Sequence, residues 1–254
     1  MEFPNVTLLI THYNRSHSLG QLLDAVRSLK LYFGDIVVSD DGSNKTHFDA
    51  LQGLKAQFGF RLITTPVNKG LGHNLNKGQD AVKTLYTLYV QEDFIPHPGF
   101  LRMLEKSVTI MEKRVDIDIV RYYAYLPFPY LKPFDEDFGE MNVPLTGTQY
   151  TKIYAYSDHP HLRRSDFLTK FGRYAEGLTG DRTEYRMCIS FIQRGGRGLF
   201  YRDFQQLFAQ VNPASEPSTM HRSAWRQSKN PFIALVRTLY RQFKYNFDIV
   251  FMNP

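Results

Sequence analysis

Asp35-Ile36-Val37-Val38-Ser39-Asp40-Asp41-Gly42-Ser43 is an apolar run that stops on two carboxylates and a turn, and Leu88-Tyr89-Val90-Gln91-Glu92-Asp93-Phe94 repeats the design further along the chain. An apolar run without polar alternation is what a strand covered on both faces requires. Ending it on carboxylates delivers them to the rim of a sheet, and in open α/β sheets that rim is where ligands bind. Two acidic rims on neighbouring strand ends therefore predict both the architecture and the location of a site.

Outward from these runs, the first half alternates between the two periodicities. Val6 to Thr11 is another continuous apolar strand, and Leu19, Leu22, Leu23, Val26 and Leu29 give helical spacing up to Lys30. Helices are expected over Asp49–Phe58 and Asn74–Thr84, with strands over Phe60–Thr64 and Leu85–Gln91. Pro98 suits the first turn of a helix running toward Lys113. Such alternation predicts an α/β fold, a sheet covered by helices. The second half is less regular. Asp118–Leu126 and Thr151–Tyr156 read as strands, Pro127–Gly147 as a long excursion or lid, and Arg164–Phe171 as a short helix. Thr183–Arg194 reads as a helix stopped by Gly195-Gly196, Gly198–Tyr201 as the last strand, Asn212–Thr219 as a loop, and Pro231–Phe247 as a final helix.

Composition sets limits. With 254 residues, 43% hydrophobic and 22% charged, the chain has the makings of one globular domain with a tail. The single cysteine, Cys188, excludes an intramolecular disulfide or a zinc-thiolate cluster, so a cytoplasmic setting is expected. The N-terminus lacks the basic-then-apolar pattern of a signal peptide, and no apolar run of about twenty residues is present. A net charge of +6 favours anionic partners, but no nucleic-acid motif accompanies it, and no nucleic-acid partner is expected.

Four pieces in order carry a family resemblance: Thr11-His12-Tyr13-Asn14-Arg15; Asp40-Asp41-Gly42-Ser43; Asn68-Lys69-Gly70 with Asn76-Lys77-Gly78; and Glu92-Asp93. In these the chain resembles a family-2 glycosyltransferase over about its first two hundred residues. The resemblance implies a GT-A type nucleotide-diphospho-sugar transferase fold, with a mixed central sheet flanked by helices, and an inverting reaction. It implies a catalytic domain over residues 1–210, with a nucleotide-binding half (1–115) and an acceptor-side half (116–210), followed by a C-terminal loop and amphipathic helix (211–254).

By the same resemblance, Thr11, Tyr13, Asn14, Arg15, Asp40, Asp41, Gly42, Asn68, Gly70, Asn76 and Glu92 are expected to bind the nucleotide-sugar. Asp41 would accept the imide N–H of a uracil, and Gly42 permits the sharp turn after the strand. The family often has an arginine before its second Asn-x-Gly; here Leu75 stands there, so Lys69, Lys77 or an arginine elsewhere would serve the diphosphate. Glu92-Asp93 takes the place of the Asp-x-Asp motif, with Asp93 the metal ligand for Mn2+ or Mg2+ and His221 a late second one. An inverting transferase needs a carboxylate to deprotonate the acceptor hydroxyl. Aligning the helix places Glu184 there, with Asp181 the competitor; either is equally suited to the first turn of a helix. His159 and His161 have no ligand spacing and are expected on an acceptor-side loop or the surface.

The expected activity is transfer of a sugar from a nucleotide-diphosphate donor, UDP-linked, to a glycan or lipid-linked acceptor in polysaccharide or cell-surface glycan synthesis. A non-catalytic nucleotide-sugar-binding module with a degenerate site is the alternative. A sugar nucleotidyltransferase would want a Gly-rich basic loop after the first strand, and none is there. In the final helix, Phe232, Ile233, Val236, Leu239, Tyr240, Phe243 and Phe247 share a side, with Arg237, Arg241 and Lys244 around it. Such a helix suits either the inner face of an anionic membrane, as a peripheral protein, or packing on the domain or a dimer partner.

Overall fold

The computed structural model describes residues 1–144, 147–213, 216 and 231–253, with only the backbone of residues 231, 232 and 234. Its frame is a nine-stranded sheet in the order β3-β2-β1-β4-β9-β6-β10-β8-β7. The strands are β1 (Glu2–His12), β2 (Tyr32–Asp40), β3 (Arg61–Ile63), β4 (Tyr86–Gln91), β6 (Ile119–Arg121), β7 (Leu131–Pro133), β8 (Phe138–Met141), β9 (His161–Arg164) and β10 (Gly198–Tyr201). Strands β1 to β4 run parallel. β9 is antiparallel to both its neighbours, β4 and β6, and makes the sheet mixed. A second, two-stranded sheet pairs β5 (Phe94–Pro96) with β11 (Phe208–Gln210).

The apolar runs behave as their composition requires. Along β1, Val6, Leu8 and Ile10 enter one core while Leu9 enters the other; along β4, Leu88 and Val90 oppose Tyr89 in the same way. One face is covered by α1 (Ser16–Ser28), α2 (Lys45–Phe58) and α4 (Phe100–Lys113), through Leu19, Leu22, Leu51, Met103 and Leu104. The other is covered by α3 (Leu71–Asp80), α5 (Phe167–Phe171) and α6 (Gly180–Gln193), through Leu75, Phe171 and Ile189. A final helix, α7 (Pro231–Phe251), lies on α6 and the short 3-10 helix Tyr150–Ala155.

Four sequence expectations change. Thr151–Tyr156 is not a strand but that 3-10 helix, because Lys152 turns inward and places its ammonium on the carbonyls of Pro144 and Gly147 at 2.9 and 3.2 Å. Pro127–Gly147 is not wholly irregular; it contains the β7–β8 hairpin, which extends the sheet beyond β10. Arg164 belongs to strand β9, and the helix begins only at Phe167. Strand β11 follows β10, so Gly198–Tyr201 is not the last strand.

One position tests the β1–β2 pairing. The register of these strands shifts between Phe3 and Thr7, and a Cβ on Gly34 would lie 2.0 Å from the Pro4 carbonyl oxygen. Gly34→Ala is expected to destabilise the protein by about 1–3 kcal/mol through this overpacking, read as a lowered urea midpoint with an unchanged m-value. An unaltered midpoint would show that the bulge yields without cost.

Candidate active site

Because β1, β2 and β4 are parallel and in register, their carboxyl ends at His12, Asp40 and Gln91 finish on one edge of the sheet. The acidic pairs of the two apolar runs follow directly. Asp40 is fully buried. Its carboxylate accepts from His12 Nδ1 at 2.9 Å, Thr64 Oγ1 at 2.8 Å, Ser43 Oγ at 2.5 Å and Ser43 N at 3.2 Å. Burial pushes its pKa upward, but these hydrogen bonds more than offset that and hold it well below the usual carboxylate range. The backbone N–H of Arg15 donates to His12 Nε2 at 3.2 Å, which leaves Nδ1 as the donor to Asp40. Asp40 is thus the anchor beneath the loop.

Asp41 performs the next connection. Its two oxygens accept the backbone N–H groups of Lys69 and Gly70 at 3.0 and 2.8 Å, tying the end of β2 to the start of α3. Gly42 makes that approach possible: its φ is +71°, and a Cβ there would lie 2.5 Å from the Val67 carbonyl carbon. Tyr13-Asn14 forms the opposing turn. Asn14 N donates to Ser43 Oγ at 2.8 Å, and Asn14 Oδ1 accepts from Asn44 N at 2.8 Å. Thr11 Oγ1 lies 2.9 Å from the hydroxyl of Tyr89, and Asn68 Oδ1 accepts from Gly70 N at 3.1 Å. Asn76 points inward, accepting from Tyr174 N at 3.0 Å while its Nδ2 donates to Glu176 at 2.8 Å, so its side chain clamps α3 to the 174–176 loop. Lys77 reaches the Asp40 carbonyl oxygen at 2.5 Å.

At the end of β4 the carboxylates are differently placed. Asp93 is buried; its Oδ2 accepts from Gln210 Nε2 at 2.8 Å and lies 3.3 Å from Arg15 Nη1. Its Oδ1 is buried with no hydrogen-bond partner. Glu92 lies 3.7 Å from the same Arg15 nitrogen, and burial together with the charge of Asp93 pushes it up to about 8. Both effects favour the protonated form of Glu92. Among the described residues no three His, Cys, Asp or Glu side chains cluster as a metal cage. One open carboxylate oxygen does suit a hard cation that takes the rest of its shell from phosphate and water, as Mg2+ and similar ions do. His221 lies outside the described residues.

Strand β11 and the segment after it cross this edge and supply residues that the sequence did not flag. Besides Gln210, Asn212 Oδ1 accepts from Arg15 Nη2 at 2.8 Å. Glu216 accepts from His17 N and Ser18 N, both at 2.9 Å, at the positive end of α1. No motif announces these contacts, because the partners lie 117 positions apart for Gln210 and Asp93 and 197 to 199 apart for the others.

The antiparallel β9 brings the second half to the same edge. Its register sets His161 opposite Tyr89, so the residues just before it stand beside the end of β4. There Asp158 accepts from Tyr156 OH at 2.8 Å, and its backbone N–H donates to Glu184 Oε1 at 3.2 Å. Asp158 Oδ2 is buried without a hydrogen-bond partner. Both carboxyls are pushed up, each first by burial; Glu184 is raised further by the charge of Asp158, with Arg121 opposing in both cases. Asp181 sits in the first turn of α6, half-exposed. Asp158 was not singled out in the sequence, although it adjoins the histidines that were.

His161 does not lie on the surface, whereas His159 lies on the loop before β9, partly buried. His161 is fully buried against the rings of Tyr89 and Tyr156, and its Nδ1 donates to the His159 carbonyl at 2.7 Å. His159 packs on Phe94, Tyr123 and Tyr125. Burial and neighbouring guanidinium groups lower both, His159 to about 3 and His161 well below its ordinary value. An unfolded imidazole takes up a proton near its ordinary 6.5, whereas the folded one does not, so acid favours unfolding. Stability contributed by neutral His161 is complete above that value and is expected to fall by about 2 kcal/mol between roughly pH 6.5 and 5. His161→Asn keeps a donor toward the carbonyl and removes the titration. Its denaturation midpoints should fall less steeply than the parent's over this window, and parallel slopes would sink the assignment.

The profile of glycosyl transferase family 2 matches residues 7–172. A poly-beta-1,6-N-acetyl-D-glucosamine synthase of Staphylococcus epidermidis is 24% identical over 90 residues, 35% of this chain and 22% of that relative. The chain thus spans a small part of this curated relative, and 37% of one TarS structure from S. aureus. A shorter TarS structure, residues 1–349 in complex with UDP-GlcNAc, superimposes with a TM-score of 0.65 at 15% identity, over 96% of this chain and 73% of that one. Glucosyl-3-phosphoglycerate synthase from Mycobacterium tuberculosis, in complex with Mn2+, UDP and phosphoglyceric acid, gives a TM-score of 0.57 at 15% identity, over 98% and 80%. With the family profile over most of its length and the mixed sheet of the GT-A fold, the chain belongs to glycosyl transferase family 2.

Proposed function

We propose that this chain is an inverting, metal-dependent glycosyltransferase that moves a sugar from a nucleoside-diphosphate sugar, UDP-linked, to a glycan or lipid-linked acceptor in polysaccharide or cell-surface glycan synthesis. The observation that carries this reading is the contrast among the carboxylates at the sheet edge. Asp40 and Asp41 are tied into the loops, whereas Asp93 keeps a buried oxygen without a partner and Glu184 shares its pocket with a second carboxyl. The nucleotides bound in the two solved structures, UDP-GlcNAc in one and UDP with Mn2+ in the other, support a uridine nucleotide and a divalent cation here.

In this reading the backbone at Thr11, Tyr13, Asn14 and Gly42 lines the nucleoside site, with Asn68 and Gly70 at its border. Asp41 presents its remaining lone pairs to the base from a carboxylate already fixed by two backbone donors. Asp93 would hold Mn2+ or Mg2+, and Glu92 faces the same space. When bound, the cation neutralises charge on the departing diphosphate. Arg15 directs a second positive charge to this place, the role that Leu75 cannot supply.

Glu184 takes the proton of the acceptor hydroxyl as that oxygen attacks the anomeric carbon. The new C–O bond forms as the bond to the diphosphate breaks, and the nucleoside diphosphate leaves with the electron pair. Burial and the charge of Asp158 raise Glu184, so its carboxylate, when ionised, is a stronger base than an ordinary glutamate's. Asp181, at the start of the same helix, is the competing base.

Two variants test the division of labour. Asp93→Ala is expected to abolish Mn2+-dependent UDP binding in calorimetry together with UDP-sugar hydrolysis. Glu184→Gln should retain that binding while transfer slows by at least about 100-fold. If Glu184→Gln transfers at the parent's rate, the base is elsewhere; if Asp93→Ala binds UDP and Mn2+ unchanged, the donor site has been misplaced.

A further inference from the structure

The two side-chain oxygens of Asp93 have unequal surroundings, and β11 is a cause of the difference. Oδ2 accepts from Gln210 Nε2 at 2.8 Å and lies 3.3 Å from Arg15 Nη1, whereas Oδ1 is buried without a partner. The backbone is fixed here as well. Val211 N donates to the Asp93 carbonyl at 2.8 Å, and β11 pairs with β5 directly after Asp93. Gln210 is oriented in turn from its far side, where Tyr125 OH donates to Oε1 at 2.5 Å. An amide has one accepting end and one donating end. Turned round, Gln210 would set oxygen against oxygen at Asp93, so the chain from Tyr125 through Gln210 to Asp93 has one direction.

An open carboxylate oxygen beside a guanidinium needs a reason. Arginine favours a two-pronged grip on a carboxylate, with one N–H group on each oxygen. Here Arg15 approaches Asp93 at Oδ2, and Oδ1 receives no hydrogen bond. The guanidinium is not saturated. Its Nη2 donates to Asn212 Oδ1 at 2.8 Å, but its Nε is buried with no hydrogen-bond partner. Both groups therefore have capacity to spare, yet they do not spend it on one another.

We propose that Gln210, itself oriented by Tyr125, is a positioning residue that keeps Arg15 from gripping both oxygens of Asp93 and so holds Oδ1 open for a divalent cation. Turning the carboxylate to meet both prongs of Arg15 costs it the bond from Gln210. Asn212, two residues further along, draws the other arm of the guanidinium aside. Gln210 acts through Asp93 and is not itself assigned to the cation. The proposal rests on the reading of Asp93 as the cation's ligand.

The test is Mn2+ binding at saturating UDP, followed by electron paramagnetic resonance of the free ion, which needs no turnover. The parent should bind. Gln210→Leu should raise the Mn2+ Kd about tenfold or more, and Tyr125→Phe about three- to tenfold. The second variant keeps the ring that stands edge-on to Tyr123 and His159 and loses only the hydroxyl, so a role in packing alone would leave Mn2+ binding unmoved. Lysine is a point charge without the planar fork. In an Arg15→Lys background, Gln210→Leu should therefore cost less than about threefold, the non-additivity of residues that act on one another. Should Gln210→Leu melt earlier than the parent, Tyr125→Phe with and without Arg15→Lys carries the same comparison. Variants that hold Mn2+ as the parent does, or an equal cost in both backgrounds, overturn the positioning role and leave the donor site standing. A parent that binds UDP but no Mn2+ overturns the cation site at Asp93, and the positioning role with it.

Discussion

Taking charge out of water at the carboxyl edge of the sheet is the constraint on which the remaining architecture depends. An unpartnered buried carboxylate costs several kcal/mol, and removing one member of a buried pair costs about 3–5 kcal/mol. Here the buried carboxylates at this edge recruit most of their partners from elements distant in sequence. Asp40 takes His12, Ser43 and Thr64; Asp41 takes the start of α3; Glu216 takes the start of α1; and Asp93 takes Gln210 and Arg15. These pairings gather the loops after β1, β2 and β4, and the strap after β11, into one place. Where they stop, at Asp93 Oδ1 and Asp158 Oδ2, the fold leaves acceptor capacity unused.

The same constraint explains the centre of the sheet. Strand β9 is inserted between β4 and β6, carrying His161 and Arg163 into the core, and β6 contributes Arg121. The Arg163 guanidinium donates to Gln79 Oε1 at 2.8 Å and to the Tyr174 hydroxyl, and lies over the Phe167 ring at 5.1 Å. Arg121 donates to Ser157 Oγ at 2.5 Å and to the Tyr154 carbonyl. Burial lowers Arg121 to about 10, leaving it charged at neutral pH. These two cations stabilise negative charge in the Asp158–Glu184 pocket, so one of its carboxyls can ionise in an interior that would otherwise keep both protonated. The interior of β6 and β9 thereby determines the chemistry available at α6.

Much of this was legible in the sequence, and what was not has a physical cause. Apolar runs revealed β1, β2 and β4 because strands covered on both faces have no other way to be composed, and spacing revealed α1, α3, α4 and α6. The structure starts β1, β2 and α2 earlier, at Glu2, Tyr32 and Lys45, which continue the backbone pairing or helix without an apolar signal, and shifts α3 to Leu71–Asp80. His161-Leu162-Arg163-Arg164 does not read as a central strand because its polar side chains are tolerated only through tertiary partners. Lys152 hides the 3-10 helix for the same reason. The acidic rims could be located from sequence, but not which oxygens were occupied. Asn76 is an example: its side chain is taken up by the 174–176 loop.

Charge balance at Asp93 has a further consequence under the proposed chemistry. Burial and the charge of Asp93 favour the protonated form of Glu92, so the acidic pair carries less negative charge than two free carboxylates would, and Arg15 lies against both. A divalent cation arriving alone would meet a site that is close to neutral and has one open carboxylate oxygen. A diphosphate arriving alone would meet Arg15 but also the charge on Asp93. Together they would cancel: Asp93 would hold the cation, and Arg15 would turn part of its charge to the diphosphate. Affinity for each would then be coupled to the presence of the other, a reciprocity that linkage requires.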